Sequence, residues 1–592
     1  EAIYLSVCDK EVLRQACGNE RKTSPQLAGV HYPVLLFLIL INKQKMHTMK
    51  LNLATFILVL PTLLFAQAKY LVYFTDKNNS PYSVDRPSEF LSPKSIERRE
   101  KQRISIKPSD LPVNKMYADS LRKLGLTVWY TSKWFNAAYI AIADTSIIKN
   151  TVDKLAFVKK TQLLIPNLNP SVLRTGKSKK LGSLRYALED SNYGESFTQA
   201  SQICADEMHK ENFRGEGMTI AVLDGGFTNA NDVYFLDSVF YQNRILGTHD
   251  FVENDKFVYS FSDHGTNVLS CIGGYAKGKL IGTAYKANFY LFRTEDGNSE
   301  YPVEEANWLM AAERADSLGA DVINSSLGYT SFDDSKLTYK YRDRDGRKPI
   351  SSLAATMAAR TGMICVISAG NGGDSRSDPY ISAPGDADSV LTVGAIDKNG
   401  EIASFSSYGP SIDGRTKPEV VALGVFATIG LSNGSIGTAR GTSFSAPIMT
   451  GMVAGLWQSL PDATNMEIID LVKRSGDLYQ QPNAKYGYGT PCFFKARLLN
   501  FGKSNVVIND QYLYPNPFTT ENLLFVVNQN DKGSTYDIEF FDISAKSIFK
   551  QKIENAQASN VLSISSASLT SGLYFVRIST PASSKVLKLI KN

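Results

Sequence analysis

Short apolar runs alternate with helical patterns through the middle of this chain. The runs are MTIAVLD, ANFYLFR, ADVINSSLG, MICVISAG and SVLTVGAID, and they are rich in Val and Ile. Between them lie segments with helical periodicity, such as VEEANWLMAAERADSLG and SLAATMAARTG. Buried strands that alternate with helices predict a parallel sheet with helices on both faces. Functional side chains in such folds gather at the carboxyl ends of the strands.

Two different patterns flank this α/β segment. Residues 69 to about 165 mix strand-like runs such as KYLVYF with helical ones such as NKMYADSLRKLG, which predicts a small α+β unit. A polar and basic stretch, residues 168–183, follows it and indicates a linker that is open to proteolysis. After about residue 503, apolar and polar positions alternate with a period of two, so we expect a small antiparallel β-sandwich.

The N-terminal region carries an export pattern. From Met49 the sequence is MKLNLATFILVLPTLLFAQA, with one lysine, an apolar stretch and small residues at Ala66 and Ala68. This pattern predicts a secretory signal peptide that is cleaved after Ala68. Its apolar stretch is too short to predict a membrane span. We interpret residues 1–48 as an upstream extension of the reading frame; the alternative is that VLLFLILI, residues 34–41, is a second anchor.

Length, charge and cysteine content limit the classes of protein to which this chain can belong. A chain of 592 residues is too long for one core, so we expect two to four domains. The net charge of +6 is small for this length and gives no support for a nucleic-acid partner. Four cysteines follow the predicted signal, too few for a disulfide scaffold, although export permits one or two bridges. Cys365 lies in an apolar run, where we expect a buried free thiol.

The stretch RGTSFSAPIMTG, residues 440–451, places a serine just ahead of Ala-Pro and an apolar run. Proline is tolerated only in the first turn of a helix, so we expect a helix to begin within a few residues of Pro447. Ser443 would then lie at the N–H-rich end of a buried helix. As a structural residue it would be an N-cap. As a nucleophile it would have a site for an oxyanion beside it.

A serine nucleophile needs a base, and three histidines follow the predicted signal. His209 lies in a charged helical stretch, where we expect a solvated surface residue. His249 lies in LGTHDFVEND, which we interpret as a polar loop. His264 lies in SDHGTNVLSCIGG, where a loop turns into an apolar helix. A base for Ser443 must be one of these three residues.

Two polar residues at strand ends complete the set of candidates. Asp224 ends the run TIAVLD, and a buried carboxylate there is costly unless it has a partner such as an imidazole N–H. Asn371 follows another apolar run, in ISAGNGG, and is a candidate donor to an oxyanion. The alternatives are an Asp in a strand-ending turn and an ordinary Gly-Asn turn. Each alternative is reasonable alone, but not for all four residues at once.

Together the four segments resemble the subtilisin-like serine peptidases. The motifs VLDGG, HGT, SAGN and GTSFSAP occur in the order Asp, His, Asn, Ser that is typical of that family. The resemblance implies a catalytic triad of Asp224, His264 and Ser443, with Asn371 as the oxyanion donor. The segment INSSLG resembles the strand that lines the family's specificity pocket, and small residues there predict an open, apolar pocket. The implied substrate-binding residues are Ser326, Leu327, Gly328, Ala369 and Gly370.

The flanking segments carry resemblances of their own. NSPYSVDRPSEFLSPKSIERRE resembles propeptides of subtilases from Bacteroidetes-type bacteria. YPNPF, SGLYFVRI and the closing KVLKLIKN resemble a type IX secretion sorting domain; the alternative is a carbohydrate-binding or adhesive sandwich. Compared with many subtilisins, the loop at 275–282 lacks a calcium-binding insertion, and the insertion at 329–350 lacks most ligands of a calcium loop. We expect no cofactor for catalysis and no clear ligands for a structural calcium.

These observations predict an α/β fold: a subtilisin-like parallel sheet flanked by helices, preceded by a small α+β propeptide and followed by a small β-sandwich. The expected function is that of a secreted serine endopeptidase activated by propeptide removal; the alternative is a catalytically silent cell-surface binding protein. Expected partners are protein or peptide substrates, the propeptide as intramolecular inhibitor and the type IX secretion machinery, with no nucleic acid. We expect the protein to pass through the periplasm and to be secreted or attached to the cell surface. The expected segments are an upstream extension at 1–48, a signal peptide at 49–68, a propeptide and linker at 69–190, a peptidase domain at 191–503 and a sorting domain at 511–592.

Overall fold

A computed structural model describes residues 67–167, 192–501, 512–514, 522–526, 535–554, 561–565, 569–580 and 584–591. The predicted upstream extension, nearly all of the signal peptide and the basic linker at 168–183 lie outside the described residues. Ala68, the predicted last residue of the signal peptide, is the first residue of a strand.

The N-terminal unit is an antiparallel sheet with strand order β2-β3-β1-β4. Its apolar side packs against Leu121 of the second helix. The sequence predicted these elements apart from the third helix and the last strand. Only Leu164 of that strand is buried, so its apolar pattern is weak. The strands are β1 Ala68–Phe74, β2 Thr127–Ser132, β3 Ala137–Ile142 and β4 Val158–Ile165, and the helices are α1 Pro93–Lys101, α2 Lys115–Lys123 and α3 Ser146–Asn150.

The central element is a seven-stranded parallel sheet with strand order β13-β12-β11-β10-β5-β9-β6. The five apolar runs of the sequence form five of these strands, which confirms the predicted α/β architecture. The strands are β5 Thr219–Asp224, β6 Ile245–Asp250, β9 Asn288–Arg293, β10 Val322–Ser325, β11 Ile364–Ser368, β12 Leu391–Ile396 and β13 Val420–Leu423. Two hairpins lie outside this sheet: β7 Tyr275–Ala276 with β8 Leu280–Ile281, and β14 Val425–Gly430 with β15 Ile436–Arg440.

Helices cover both faces of this sheet. Successive side chains of a strand point to opposite faces, and in β5 Val222 joins one apolar core while Leu223 joins the other. The helices of this region are α4 Phe197–Ser201, α5 Ala205–Lys210, α6 Asp237–Tyr241, α7 His264–Gly273, α8 Val303–Leu318, α9 Ile350–Arg360, α10 Thr442–Ser459, α11 Asn465–Ser475 and α12 Phe493–Phe501. Helices α7 and α10 contribute to the first core, and α8 and α9 contribute to the second.

The C-terminal region consists of two antiparallel sheets with strand orders β16-β17-β20 and β19-β18-β21-β22. Leu523 and Ile564 of the first sheet share an apolar core with Ile538 and Val576 of the second, as expected of a sandwich. The strands are β16 Tyr512–Tyr514, β17 Asn522–Val526, β18 Thr535–Phe541, β19 Ser547–Glu554, β20 Val561–Ser565, β21 Gly572–Ser579 and β22 Ser584–Lys591. Among the helices in the described ranges, none has the length and apolar character needed to cross a membrane.

One disulfide closes a long stretch of chain. Cys204, just before α5, is bonded to Cys492, just before α12, across 288 residues of sequence. Cys271 and Cys365 are free and buried, as the sequence predicted for Cys365. The sequence left the pairing open because spacing alone does not fix disulfide connectivity.

Candidate active site

The carboxyl end of β5 brings an acid and an imidazole together. Asp224 is fully buried, and both of its carboxylate oxygens lie 2.9 Å from Nδ1 of His264. Burial lowers the pKa of His264, but the charge and hydrogen bond of Asp224 outweigh burial, so the pKa is raised above its usual value. A proton held on Nδ1 leaves Nε2 free to accept a proton from another group.

The local backbone allows this close approach. His264 is the first residue of α7, and the loop that follows β5 runs directly beside it. A Cβ at Gly265 would lie 2.3 Å from the carbonyl oxygen of Gly226. A glycine is therefore required where the start of α7 meets the loop after Asp224.

Ser443 is the second residue of α10, which begins at Thr442. The N-cap of this helix is Gly441, whose φ of 151° is one that residues with a side chain rarely adopt. The interpretation of Ser443 as an N-cap is therefore wrong. Its Oγ instead donates to the carbonyl oxygen of Ser326, at 3.3 Å, and the side chain is only 9% exposed.

The expectation that α10 begins close to Pro447 is also wrong, because the helix starts five residues earlier and contains the proline. Pro447 has no N–H to donate to the carbonyl oxygen of Ser443, one turn back. The hydroxyl of Ser326 donates to that oxygen instead, at 2.9 Å. The hydroxyl of Ser326, just after β10, thus replaces the hydrogen bond that Pro447 cannot form.

His264 and Ser443 lie at the same edge of the sheet. The ring of His264 is 6.0 Å from the ring of Phe444, the residue that follows Ser443. Within the described residues, Ser443 Oγ forms its hydrogen bond with Ser326 and none with His264. Rotation about the Cα–Cβ bond of Ser443 would move Oγ away from Ser326, and catalytic contacts of this kind often tighten only when substrate binds.

Asn371 follows β11 and faces the start of α10. Its Oδ1 accepts hydrogen bonds from the Thr442 N–H, at 2.9 Å, and from the Thr442 hydroxyl, at 3.1 Å. These contacts fix the orientation of the amide and leave its Nδ2 hydrogens for another acceptor. The Ser443 N–H is one of the first N–H groups of the helix, which have no partner inside it. The Asn371 amide and the Ser443 N–H therefore provide two donors at the start of α10.

The implied substrate-binding residues fall into two sets. Ser326, Leu327 and Gly328 follow β10 and line a cavity of about 470 Å³ together with Asp224 and His264. Ala369 is fully buried, and Gly370 donates its N–H to the hydroxyl of Thr442 at 3.2 Å. Neither Ala369 nor Gly370 lines this cavity.

This cavity is acidic and therefore differs from the apolar pocket that the sequence predicts, for which Ala369 and Gly370 are also expected. Its lining includes six carboxyl side chains: Asp224, Glu295, Asp296, Glu300, Glu304 and Asp333. The signal was present in the sequence, because TEDGNSEYPVEE follows strand β9 directly, at the functional edge of the sheet.

The other two histidines play no part in this site. His209 is buried, not solvated as expected; its Nδ1 is 2.7 Å from the Tyr193 hydroxyl and its Nε2 is 3.0 Å from the Thr283 carbonyl oxygen. His249 lies in β6 rather than in a loop and is 8% exposed. Burial lowers the pKa of each histidine to about 4. The structure therefore leaves His264 as the imidazole beside Asp224.

The N-terminal unit contacts α8 through buried charges. Asp316 of α8 forms ion pairs with Arg98, Arg99 and Lys133, all of which have nearly buried side chains. Burial raises the pKa of Asp316, but the three cations outweigh it and hold the pKa well below its usual range. Glu313, one turn earlier on α8, accepts the backbone N–H of Lys133 at 2.8 Å.

The described residues contain no group of three or more His, Cys, Asp or Glu side chains arranged to hold a metal ion. In the insertion at 329–350, Asp343 pairs with Lys348 at 2.6 Å, and Asp345 accepts the N–H of Arg347 at 2.8 Å. These two carboxylates therefore already have partners within the insertion.

Three family models match the chain. Residues 215–489 match the subtilase family. Residues 69–180 match the peptidase S8 propeptide domain of Bacteroidota, and residues 512–592 match the secretion system C-terminal sorting domain. The three matches follow one another along the chain in the order expected from its sequence.

Curated relatives match the same central region. Serine protease AprX of Bacillus subtilis (strain 168) is 29% identical over 327 residues, which cover 50% of this chain and 69% of the relative. Subtilisin amylosacchariticus of Bacillus subtilis subsp. amylosacchariticus is 28% identical over 320 residues, which cover 52% and 74%. A thermostable alkaline protease of Halalkalibacterium halodurans is 27% identical over 290 residues, which cover 49% and 70%.

Proposed function

Because this chain belongs to the subtilase family and is a serine-type peptidase of that family, we propose that it cleaves peptide bonds through Asp224, His264 and Ser443. The supporting observation is the pair of 2.9 Å contacts between His264 Nδ1 and Asp224, at the edge of the sheet where Ser443 begins α10. A buried acid that orients an imidazole is the arrangement needed to activate a serine hydroxyl.

The reaction begins when Ser443 Oγ attacks the carbonyl carbon of the peptide bond. The hydroxyl proton moves to His264 Nε2, and Asp224 stabilises the imidazolium. His264 then gives this proton to the leaving amine as the C–N bond breaks, which leaves an acyl ester on Ser443. A water attacks this ester with His264 as base, and the serine leaves with the proton.

The oxyanion of each tetrahedral intermediate is stabilised by hydrogen bonds. We assign the donors as the Asn371 side-chain amide and the Ser443 backbone N–H. Thr442 supports this assignment, because its two contacts with Asn371 Oδ1 turn the Nδ2 hydrogens to the other side of the amide.

An extended substrate would add a strand between two segments of the cleft. These are residues near 292–301, which follow from β9, and residues near 325–329, which follow from β10. Pairing of a peptide backbone with exposed strand-like segments gives affinity that does not depend on side chains.

The N-terminal unit is assigned as an intramolecular inhibitor that is removed on activation. Its match to a propeptide domain and the buried contacts of Arg98, Arg99 and Lys133 with Asp316 support this assignment. The C-terminal sorting domain indicates export, so the protein is secreted or attached to the cell surface. We assign the type IX secretion machinery as the partner of that domain.

The test compares the full chain with its Ser443→Ala variant. We expect the wild type to shorten itself and to cleave casein, while the variant stays at full length and leaves casein intact. The same result in both proteins would contradict the proposed nucleophile and favour a catalytically silent binding protein at the cell surface.

A further inference from the structure

The acidic cavity beside His264 is the feature that the proposed mechanism does not explain. It lies between the loop at 295–300 and the segment Ser326–Gly328. Neither lysine nor arginine is among the residues that line it. Asp224 is committed to His264, but the remaining carboxyl groups of the cavity are not needed for peptide hydrolysis.

Glu304, in the first turn of α8, is among the residues that line this cavity, and one of its carboxyl oxygens has no hydrogen-bond partner among the described residues. The residue is 2% exposed, and its Oε1 accepts the N–H of Asp296 at 2.9 Å. Its Oε2 is buried and has no hydrogen-bond partner among the described residues. An unpaired buried carboxylate oxygen carries a large desolvation cost, so its position at the cavity indicates a donor that arrives with a ligand.

The neighbouring carboxyl groups give a further reason to expect a cationic ligand in this cavity. Burial, together with the charges of Glu300 and Asp224, raises the pKa of Glu295 to about 8. Burial and the charge of Asp333 raise the pKa of Glu300 to about 7. Burial, with the charges of Glu295 and Glu300, also raises the pKa of Glu304 well above its usual value. A cation among these groups would stabilise their ionised forms.

The cations near this cavity are already engaged. Arg293 pairs with Asp250 at 2.6 Å, and its guanidinium lies 3.6 Å from the centre of the Phe261 ring. Lys69 of β1 is attracted by Asp296, but burial lowers its pKa, and its Nζ lies 4.6 Å from the centre of the Trp129 ring. Lys69 belongs to the N-terminal unit, which activation would remove.

The shape of the cavity favours an organic cation over a metal ion. Among the described carboxyl groups, none forms a set of three or more that converges as metal ligands do. A volume of about 470 Å³ that opens beside His264 can admit a long side chain close to the bond that is cleaved. Arginine and lysine are the peptide side chains that pair with buried carboxylates.

We propose that this cavity is a specificity subsite that takes an arginine or lysine side chain of the peptide substrate. The proposal rests on the peptidase function proposed above and names its substrate class. The chain itself contains such side chains, because residues 168–185 include five lysines and arginines and no Asp or Glu. Cleavage of the chain within this segment during activation would be subject to the same preference for an arginine or lysine side chain.

The test uses the activated enzyme and a set of peptides that differ at one position. Each peptide carries either arginine or citrulline, its uncharged analogue, at one position from four residues before to two residues after the cleaved bond. The readout is the ratio of kcat/KM for the two peptides, which cancels the amount of active enzyme and the titration of His264. We expect a ratio of about 10 or more at one position at pH 8.

Two variants and a pH series make the readout specific. Glu304→Gln should bring the ratio close to 1, and Glu300→Gln, at a less buried position, should lower it as well. Glu401→Gln removes an exposed carboxylate that does not line the cavity, and it should leave the ratio unchanged. Because the carboxyl pKa values are raised, the ratio should increase as the pH rises from 6 to 9 and these groups ionise.

Casein hydrolysis by the same preparations separates the two proposals. An enzyme that cleaves casein but gives a ratio near 1 at every position would overturn the subsite and leave the peptidase function intact. A ratio that Glu304→Gln and Glu300→Gln both leave unchanged would also overturn it. A wild type that does not cleave casein would overturn both proposals.

Discussion

In the proposed mechanism, single residues determine where the proton goes. The carboxylate of Asp224 lies within hydrogen-bond distance of His264 Nδ1, and Ser443 lies in the first turn of α10, whose N–H groups have no partner inside the helix. The sequence predicted all four candidate residues because each lies in a short local motif at the end of a strand or the start of a helix. It did not predict the buried state of His209, because the contact with Thr283 spans 74 residues of sequence.

The pH dependence of activity follows from the raised pKa of His264. The base works only when Nε2 is unprotonated, so kcat/KM should fall as the pH drops through this pKa. Asp224→Asn removes the charge that raises the pKa, so the acid limb should move to lower pH. We also expect this variant to lower kcat by about 10⁴, the loss typical of the triad acid.

The measurement is kcat/KM against pH with an uncharged peptide, for the wild type and for Asp224→Asn. Glu401→Gln is the control, because Glu401 is exposed and does not line the cavity beside His264. An acid limb that stays in place or moves to higher pH in Asp224→Asn would contradict the assigned pairing.

The oxyanion role of Asn371 predicts a loss that is specific to the transition state. Asn371→Ala should lower kcat by about 10²–10³, the range known for the oxyanion donor of subtilisin itself, with little change in KM. Asn371→Asp keeps the shape but replaces the donor with an acceptor, so it should lose at least as much. Steady-state kinetics with one peptide gives both constants, and a loss under tenfold would exclude the role.

At the scale of elements, α8 and α10 make contacts that their sequence patterns do not predict. α10 contains Pro447 because Ser326 pairs with the carbonyl oxygen that the proline leaves without a donor. The rule that proline occurs only in the first turn of a helix placed the start of α10 too late. That rule takes no account of the Ser326 hydroxyl, which is distant in sequence and supplies the missing hydrogen bond. α8 contributes Glu304 to the cleft, while Asp316 pairs with the N-terminal unit. Strand and helix positions were predictable, but such contacts between elements were not.

The contacts of Asp316 predict how tightly the N-terminal unit is held. Asp316→Asn leaves Arg98, Arg99 and Lys133 without their shared carboxylate. Loss of one partner of a buried ion pair costs about 3–5 kcal/mol, so binding of the cleaved unit should weaken by about 10²–10⁴.

Size-exclusion chromatography of the self-cleaved full chain measures this effect. We expect the cleaved unit to elute with the wild-type enzyme and to separate from Asp316→Asn. Glu97→Gln is the control, because it removes an exposed pair with Lys101 on the solvent side of α1. Equal retention by Asp316→Asn and the wild type would show that these charges do not hold the unit.

At the scale of the whole molecule, the chain order of the three parts could be predicted from the sequence. Each part has its own periodicity of apolar positions, and each matches its own family model. The pairing of Cys204 with Cys492 could not be predicted, because it depends on how α5 and α12 are brought together across 288 residues.

We expect the disulfide between Cys204 and Cys492 to contribute measurably to the free energy of unfolding. In Ser443→Ala, which cannot digest itself, a further Cys204→Ala and Cys492→Ala change should lower the free energy of unfolding by about 2–5 kcal/mol. Urea unfolding measures the difference, with Cys271→Ala as the control for loss of a buried sulfur that is not bonded. An equal effect of the control and the double change would contradict a stabilising role for this bond.

Covalent labelling of the activated enzyme with a fluorophosphonate tests most directly whether Ser443 is the nucleophile. Mass spectrometry of the digested protein then identifies the modified residue. We expect a single adduct on Ser443, formed with loss of fluoride. An adduct on another residue, or none in an enzyme that still cleaves casein, would contradict Ser443 as the nucleophile.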